Sequence, residues 1–272
     1  MPNKRIYLVI WLCLTSIFSL NVFAASVMKN PVEIVKHCDN KYAGEDQKTI
    51  FTVSIKNKHG RTQNSIYQRF WRNQNDQRKI GDKLSLFTLS PPDAKNTAFL
   101  QHSYIDNKAK NAEQWVYLPS LRKIRRTTIR ELSDSFLGTD LTFDDIRARK
   151  AHEDTHKLLS IDEDNMLATY FIESRPKERS SMYGKKIVTY EHNKQTGVCL
   201  KKAMNYYDRN KALIKKQEFS WQKIGKAWLW DTVVVFNAQT FGSSTFKVSR
   251  AKVNTRISDK WFTIRMLKRG LR

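Results

Sequence analysis

The feature that most constrains this chain is a repeated alternation of apolar and polar residues between residues 51 and 253. Phe51, Val53 and Ile55 alternate with polar residues, which is the period of a β-strand with one buried face. Turn sequences such as Pro91-Pro92-Asp93 separate the alternating segments, which follow one another about every 8–14 residues. This spacing predicts an antiparallel meander. The predicted strands cover residues 51–55, 66–70, 83–89, 98–104, 114–118, 157–162, 166–173, 185–192, 198–207, 212–221, 228–237 and 243–253.

One sheet of that many strands cannot stay flat, because the twist between neighbouring strands makes a wide sheet curl. We therefore expect a mainly β protein of the α+β type, in which a single wide antiparallel sheet forms a half-open β-barrel with a few covering helices. Asn30-Pro31-Val32-Glu33 has the features of a helix start, and the helix is predicted to end near Gly44. No linker rich in Ser, Gly or Pro divides the chain, so residues 26–272 are predicted to form one domain.

The N-terminus has the pattern of a secretory signal peptide. Lys4 and Arg5 precede an apolar run over residues 6–20, and small residues follow it. We predict that residues 1–25 form this leader and that it is cleaved near Ala24 or Ala25. A retained membrane anchor is the alternative, although the run is short for one.

The chain is strongly basic, with 49 Lys and Arg against 26 Asp and Glu and a formal net charge of +23. For an exported protein, this charge indicates anionic membrane surfaces, lipid head groups or acidic proteins as binding partners. Nucleic acid would be the first candidate for a protein inside the cell, and the export signal argues against it.

Two cysteines, Cys38 and Cys199, lie outside the predicted leader. In an oxidising compartment they could form a disulfide bond. Two separate buried thiols are the alternative, because the sequence does not give the distance between their Cα atoms.

Residues 114–146 contain the most informative stretch of the sequence. A strand with Trp115 and Tyr117 ends at Pro119, and a cluster of cations interleaved with apolar residues follows. An apolar edge beside a basic rim suits an acyl chain with an anionic head group. The alternative is a basic strand that simply faces water. The cations proposed for the rim are Arg122, Lys123, Arg125 and Arg126.

This stretch resembles the LolA-like family of outer membrane lipoprotein-sorting proteins. The resemblance rests on the strand and basic cluster of residues 115–126, and on Ser-Phe-Leu-Gly-Thr-Asp-Leu-Thr-Phe-Asp-Asp at residues 135–145. Residues 86–100 and 259–267 also resemble segments of that family, although Asn96 stands where the family usually has glycine. The resemblance implies a LolA-like or LolB-like half-barrel around an apolar cavity, a periplasmic location and a role in moving lipids or lipoproteins, often with an RND-type inner-membrane transporter.

These observations lead to a carrier hypothesis with no cofactor and no catalytic residue. Acyl chains would bind in a concave apolar cavity and move toward the outer membrane. The alternative from another class is an envelope adaptor whose core is filled by its own side chains. The residues proposed for the cavity and its lid are Trp115, Tyr117, Phe136, Leu137, Leu141, Phe143, Trp228 and Trp230.

A remote alternative comes from His152-Glu153-Asp154-Thr155-His156, which formally matches the zinc peptidase pattern H-E-x-x-H. That chemistry needs both histidines on one face of a buried helix, with the glutamate activating water. The charge of Asp154 and the few apolar residues around it argue against such a helix. We therefore predict no metal site here.

Overall fold

The computed structural model describes residues 27–73, 80–105, 112–147 and 149–271. The predicted leader and its cleavage site at Ala24 or Ala25 lie outside the described residues. The described chain forms one antiparallel sheet of thirteen strands with three α-helices. The helices are α1 (Pro31–Asp39), α2 (Phe143–Ile146) and α3 (Ile264–Arg269). The strands are β1 (Asp46–Lys56), β2 (Thr62–Asn73), β3 (Ile80–Ser90), β4 (Ala98–Tyr104), β5 (Glu113–Leu118), β6 (Lys123–Arg126), β7 (Asp154–Glu163), β8 (Leu167–Pro176), β9 (Lys185–Asn193), β10 (Cys199–Tyr207), β11 (Leu213–Ile224), β12 (Ala227–Asn237) and β13 (Ser243–Val253).

The first and last strands pair with each other in the middle of the sheet. The order across the sheet is β6-β5-β4-β3-β2-β1-β13-β12-β11-β10-β9-β8-β7, so β6 and β7 are its two edges. These two strands are consecutive in the chain. The segment that joins them, residues 127–153, must therefore cross from one edge of the sheet to the other, and we call it the strap.

Contacts of the strap show how strongly the sheet curls. Gln114 on β5 donates a hydrogen bond to the Phe143 carbonyl at 2.9 Å, and Lys215 on β11 donates to the Asp145 carboxylate. Seven strand spacings separate β5 from β11, which is roughly 33 Å in a flat sheet. Residues 143–145 can reach both strands only because the sheet bends into a trough, and the predicted half-open barrel is confirmed.

One face of the sheet forms the inside of this trough, and we call it the inner face. The register places Val53 opposite Ser65 on one side and Phe246 on the other, so their side chains share this face. The core of the inner face comes from both halves of the sheet and from the strap. Its buried members are Phe51, Val53, Tyr67, Leu86, Phe99, Phe136, Leu141, Phe219, Val233, Val235, Phe246 and Val248.

Helix α1 covers the inner face over β7–β10. Asn30 caps it by accepting hydrogen bonds from the backbone of Val32 and Glu33, and the helix ends at Asp39 rather than near Gly44 as predicted. Its buried residues Ile34, Val35 and Cys38 pack against side chains of β8, β9 and β10. A disulfide joins Cys38 to Cys199 on β10, with a Cα–Cα distance of 4.7 Å.

The opposite, outer face is covered over β2–β5 by the C-terminal segment. Phe262 and Leu267 are buried there against Phe70, Phe87 and other outer-face residues. Close by, Asn96 adopts φ of 71°, a left-handed conformation that favours glycine and that asparagine tolerates better than most residues. The asparagine therefore serves the turn at which the resembling family usually has glycine.

None of the helices in the described part of the chain is long and apolar enough to cross a membrane.

The disulfide should be a major source of stability, because it closes a loop of 161 residues in the unfolded chain. We expect the variant Cys38→Ala/Cys199→Ala to lose about 2–5 kcal/mol of the free energy of unfolding. Urea titration measures this loss, and hydrogen exchange should show faster exchange in α1. Wild-type protein kept under strong reductant is the matched control and should behave like the variant. An unchanged free energy of unfolding would contradict the assigned role.

Candidate functional site

The apolar side chains of the strap lie on the inner face of the trough. Phe136 and Leu141 are only 2% and 4% exposed. The Phe136 ring meets Phe99 on β4 edge to face at a centroid distance of 4.9 Å, and it meets Phe143 at 5.5 Å. Leu137 and Phe143 are half-buried against the same core. The structure thus brings the four predicted lid residues together over the inner face.

Asp140 attaches the strap to the middle of the sheet. Its carboxylate accepts a hydrogen bond from Ser244 Oγ on β13 at 2.6 Å and another from Asn237 Nδ2 on β12 at 3.0 Å. Its backbone N–H donates to the same serine oxygen at 3.0 Å. Because Asp140 forms all three hydrogen bonds, this part of the strap is held in a defined position over the trough.

Asp145 forms a second and more deeply buried attachment. Its carboxylate is paired with Lys215 of β11, and the two side chains are 1% and 2% exposed. It also accepts hydrogen bonds from Tyr183 Oη at 3.0 Å and, as part of the α2 capping box, from the backbone of Thr142 at 2.7 Å. Burial, and then the charge of Asp145, raise the pKa of Tyr183 far above its ordinary value, so this tyrosine stays a hydrogen-bond donor.

The end of the strap next to β7 is a network of opposite charges. Arg147 pairs with Asp144 and with Glu153, and Arg149 donates to both carboxylate oxygens of Asp154 at 2.9 and 3.0 Å. Burial by itself would raise the pKa of Asp144, but the nearby cations, Arg147 foremost, hold it below its ordinary range. Lys186, also buried, has its pKa lowered to about 8 by desolvation.

The geometry of H-E-x-x-H does not match that of a zinc peptidase. Residues 151–153 form a single 3-10 turn, and strand β7 starts at Asp154, so the two histidines do not share a helical face. Glu153 is held by Arg147 at 2.5 Å. Both ring nitrogens of His156 lie within hydrogen-bond distance of protein oxygens, those of Ser174 at 2.8 Å and Ala151 at 2.7 Å. In the described ranges, no group of three or more His, Cys, Asp or Glu residues could hold a metal ion.

Beyond the strap, an aromatic group lines the trough near the end of α1. Trp230 lies 6.1 Å from Phe219 and 6.5 Å from Trp221, measured between ring centroids. Trp230 remains 37% exposed, and Trp221 is half-buried against the inner-face core. Trp228 is half-buried, and Lys223 lies over its ring at 5.7 Å. Part of the apolar wall is therefore open to solvent at this end.

Lys41 lies directly over the aromatic group. Its Nζ is 4.1 Å from the centroid of the Trp221 ring. Burial lowers the pKa of Lys41 to about 8, against the opposing effect of Asp39. This lysine is charged at neutral pH and is poorly hydrated, which is a favourable state for binding an anion.

The four cations of the predicted basic rim differ in their surroundings. Arg126 pairs with Glu113 at 2.6 Å, and Arg125 pairs with Glu131 of the strap. Arg122, at the end of the turn before β6, and Lys123, the first residue of β6, are exposed and form no ion pair with a described residue. These two are therefore the rim cations with charge available to a partner.

Trp115 and Tyr117, proposed for the cavity wall, lie on the outer face. Tyr117 is buried with Ala98 and Phe262 under the C-terminal segment, and Trp115 packs at the edge of that cluster. The residue between them, Val116, faces the inner side and lies opposite Phe99. Strand alternation shows that Trp115 and Tyr117 share a face but not which face is concave.

Sequence reasoning did not identify the polar attachments of the strap. Two adjacent aspartates such as Asp144 and Asp145 are a pattern typical of solvated or helix-start charges, whereas Asp145 is both a helix-start residue and a buried partner of Lys215. A signal was present in β11, where Lys215, Gln217 and Phe219 alternate on one face, so a lysine is placed on the inner side.

Comparison with known proteins supports the fold. A protein-family model described as "Uncharacterized protein" matches residues 81–269. Among curated proteins, none matches the chain. Solved structures do match, and at their levels of identity the likeness establishes the fold alone.

The chain is similar to a structure from Vibrio parahaemolyticus described as an outer membrane lipoprotein-sorting protein domain, with 23% identity, a TM-score of 0.75, and 88% of this chain and 98% of that one covered. A DUF1329 family protein from Desulfovibrio piger has 21% identity and a TM-score of 0.77, covering 88% and 100% of the two chains. A LolA superfamily protein from Nitrosomonas europaea has 17% identity and a TM-score of 0.63, covering 87% and 98%. The predicted resemblance to the LolA-like fold is confirmed.

Removing the Lys215 ammonium should weaken the attachment of the strap and strongly lower the free energy of unfolding. We expect Lys215→Met to lose about 3–5 kcal/mol of the free energy of unfolding, because it leaves the Asp145 carboxylate buried without its cation. Chemical denaturation measures this loss. The control Lys202→Met removes an exposed lysine whose partner Glu191 lies at 3.7 Å, and it should cost less than about 1 kcal/mol. Equal losses in the two variants would show that the buried pair does not stabilise the strap.

Proposed function

The chain belongs to the family of uncharacterized proteins matched over residues 81–269, and on that premise we propose that it is a non-enzymatic carrier of acyl chains. In this proposal the acyl chains of a lipid or lipoprotein bind on the inner face of the trough. The carrier moves them through the periplasm toward the outer membrane. In this proposal, the predicted leader directs the chain to the periplasm.

The observation that carries the proposal is an apolar inner face that no second sheet covers within the described part of the chain. The strap covers part of it, α1 covers another part, and side chains such as Leu84, Trp221 and Trp230 remain partly exposed. Each CH₂ group of a free acyl chain left in water costs about 0.8 kcal/mol. A trough with an apolar wall reduces that cost, and no catalytic residue is needed for transfer between sites of different affinity.

The strap suits the role of a lid because its apolar side chains pack on the surface where an acyl chain would bind. Phe136 and Leu141 cover Phe99 and pack against the rest of the inner core. A bound acyl chain would replace the contacts of Phe136 and Leu141 with similar apolar contacts. The hydrophobic free energy of the inner face would therefore be nearly the same with the strap or with the acyl chain in place. The polar attachments at Asp140 and Asp145 then favour the closed state between transfers.

Arg122 and Lys123 are the proposed contacts to an anionic membrane surface, and Arg125 joins the rim to the strap through Glu131. The proposed transfer partner is the RND-type inner-membrane transporter that the family resemblance implies. The exposed charge at the turn before β6 supports the surface contact. The proposal of a transporter partner rests on the family resemblance alone.

An envelope adaptor is the second candidate, and the burial of Phe136 and Leu141 in the inner core favours it. On this view the strap permanently fills the trough. Native mass spectrometry of protein purified from its own periplasm distinguishes the two candidates, because a carrier retains lipid and an adaptor does not.

Fixing the strap in place should abolish lipid uptake. Asp140 and Ser244 are in hydrogen-bond contact at 2.6 Å, so the variant Asp140→Cys/Ser244→Cys can be joined by a short bismaleimide. We expect the cross-linked protein to extract pyrene-labelled phospholipid from vesicles at least tenfold more slowly, because a rigid strap keeps Phe136 on the inner face. Stopped-flow pyrene fluorescence measures the rate.

The matched control is the same double variant with both cysteines capped by N-ethylmaleimide, which loses the same side-chain hydrogen bonds but leaves the strap free. It should extract lipid at least as fast as the wild type. If the cross-linked and capped proteins extract lipid equally well, the strap is not the lid. If the wild type extracts none, the carrier proposal is wrong.

Neutralising the two unpaired rim cations should weaken membrane binding. Each cation near an anionic surface contributes about 1 kcal/mol, so Arg122→Gln/Lys123→Gln should bind phosphatidylglycerol vesicles roughly 30-fold more weakly than the wild type. Sedimentation at low salt measures the binding. The control Lys216→Gln/Lys247→Gln removes two exposed lysines of β11 and β13 and should bind nearly normally. Equal weakening in both variants would show that overall charge, and not the rim, is responsible.

A further inference from the structure

Strands β12 and β13 separate along half of their length. They pair only from Thr232–Lys247 to Phe236–Ser243, although β12 begins at Ala227 and β13 continues to Val253. Residues 227–231 of β12 therefore form no ladder with residues 248–253 of β13. We call this gap in the sheet the split.

Two β-bulges border the split and account for it. In β12, Asp231 and Thr232 together lie opposite Ser220 of β11, where the register shifts. In β13, two residues lie opposite Thr49 of β1, and the first of them, Arg250, has φ of 49°. A bulge increases the local twist of its strand. One bulge on each side of the same gap turns the two strands apart.

A side chain and a linker bridge the split in place of a ladder. Gln222 Nε2 lies within hydrogen-bond distance of the Trp230 carbonyl at 2.9 Å and the Val248 carbonyl at 3.4 Å. The backbone N–H of Trp228 donates to the carbonyl of Tyr42, in the linker between α1 and β1, at 2.8 Å. Gln222 is therefore the side chain that links the two separated strands.

The wall of the split is continuous with the inner face. On one side, Trp230 is 37% exposed and contacts Phe219 of the inner core. On the other side, Val248 and Ala251 pack against that same core. A path of apolar surface therefore leads from solvent at Trp230 to the inside of the trough without passing the strap.

Two polar groups near the split, the Lys41 ammonium and the Thr49 hydroxyl, form no ion pair or hydrogen bond with a described residue. Lys41 Nζ lies over Trp221, the cross-strand neighbour of Trp230, and forms no ion pair with a described residue. Thr49, opposite the β13 bulge, is 1% exposed, and its hydroxyl has no hydrogen-bond partner among the described residues. A buried hydroxyl without a partner is uncommon and costs free energy unless a ligand supplies the partner.

We propose that the split is the site at which an anionic phospholipid is held by its polar end. Its acyl chain lies on the inner side of the split, along Trp230 and Phe219. Its phosphate pairs with Lys41, and its ester carbonyl accepts a hydrogen bond from the Thr49 hydroxyl. This inference rests on the proposed carrier function and adds to it the class of head group and the place where the head group binds.

The test uses lysophosphatidylglycerol as the probe, with monoacylglycerol of the same chain length as the uncharged comparison, and isothermal titration calorimetry as the measurement. We expect Lys41→Gln to weaken binding of the phosphate probe about tenfold, because a charge-assisted hydrogen bond is lost, and to leave monoacylglycerol binding unchanged. Trp230→Ala should weaken both by about tenfold through lost apolar contact. The controls Lys216→Gln and Phe236→Ala alter exposed residues away from the split and should bind both ligands normally.

A second measurement does not depend on how well the alanine variant folds. Lysophosphatidylglycerol with a brominated chain should quench the tryptophan fluorescence of the wild type, and the conservative variant Trp230→Phe should retain binding but lose much of the quenching. If the wild type binds the probe while Lys41→Gln and Trp230→Ala bind it equally well and Trp230→Phe is quenched as before, the lipid lies elsewhere in the trough. In that case the split inference is wrong and the carrier proposal stands. If the wild type binds neither ligand, both are wrong.

Discussion

The pairing of β1 with β13 is the constraint on which the rest of the structure depends. It joins the two ends of the meander in the middle of the sheet and leaves β6 and β7, which are consecutive in the chain, at opposite edges. The residues between those edges must then cross the open side. A meander without this pairing would place its first and last strands at the edges and would need no crossing segment. The strap, and with it the covered trough, therefore follows from one antiparallel ladder.

The inner face combines an apolar core with buried charge, and the two have different roles. Apolar residues such as Phe99 and Phe246 supply most of the favourable free energy of burial. The Asp145–Lys215 pair contributes less net stability, since desolvation offsets its attraction, but separating the two side chains would leave a buried charge without its partner. Desolvation also disfavours the charge of Arg69, because burial lowers the pKa of Arg69 to about 10 despite the opposing effect of the Asp82 charge. Buried charge here defines where the strap lies, and apolar contact makes that position favourable.

Much of the fold could be predicted because strand periodicity is a local property. Twelve of the thirteen strands follow from alternation, and the short basic strand β6 is the exception, since Lys123–Arg126 has a single apolar residue. The site was predicted less completely. Phe136 and Leu141, proposed as lid residues from the apolar and charge pattern around them, lie on the inner face, whereas Trp115 and Tyr117 lie on the other face. The partners of Asp140 lie about a hundred residues away in the chain, so no local pattern could have indicated them.

The sequence by itself determined that this protein is a basic, mainly β chain whose one wide sheet must curl. Alternation, turn spacing and charge are local properties that can be recognised from neighbouring residues. Only the tertiary structure decided which face of each strand lies inside, which carboxylates are buried, and where the sheet divides between β12 and β13. Those features depend on register and on contacts between residues far apart in the chain. A shift of one residue would exchange the two faces without altering the periodicity.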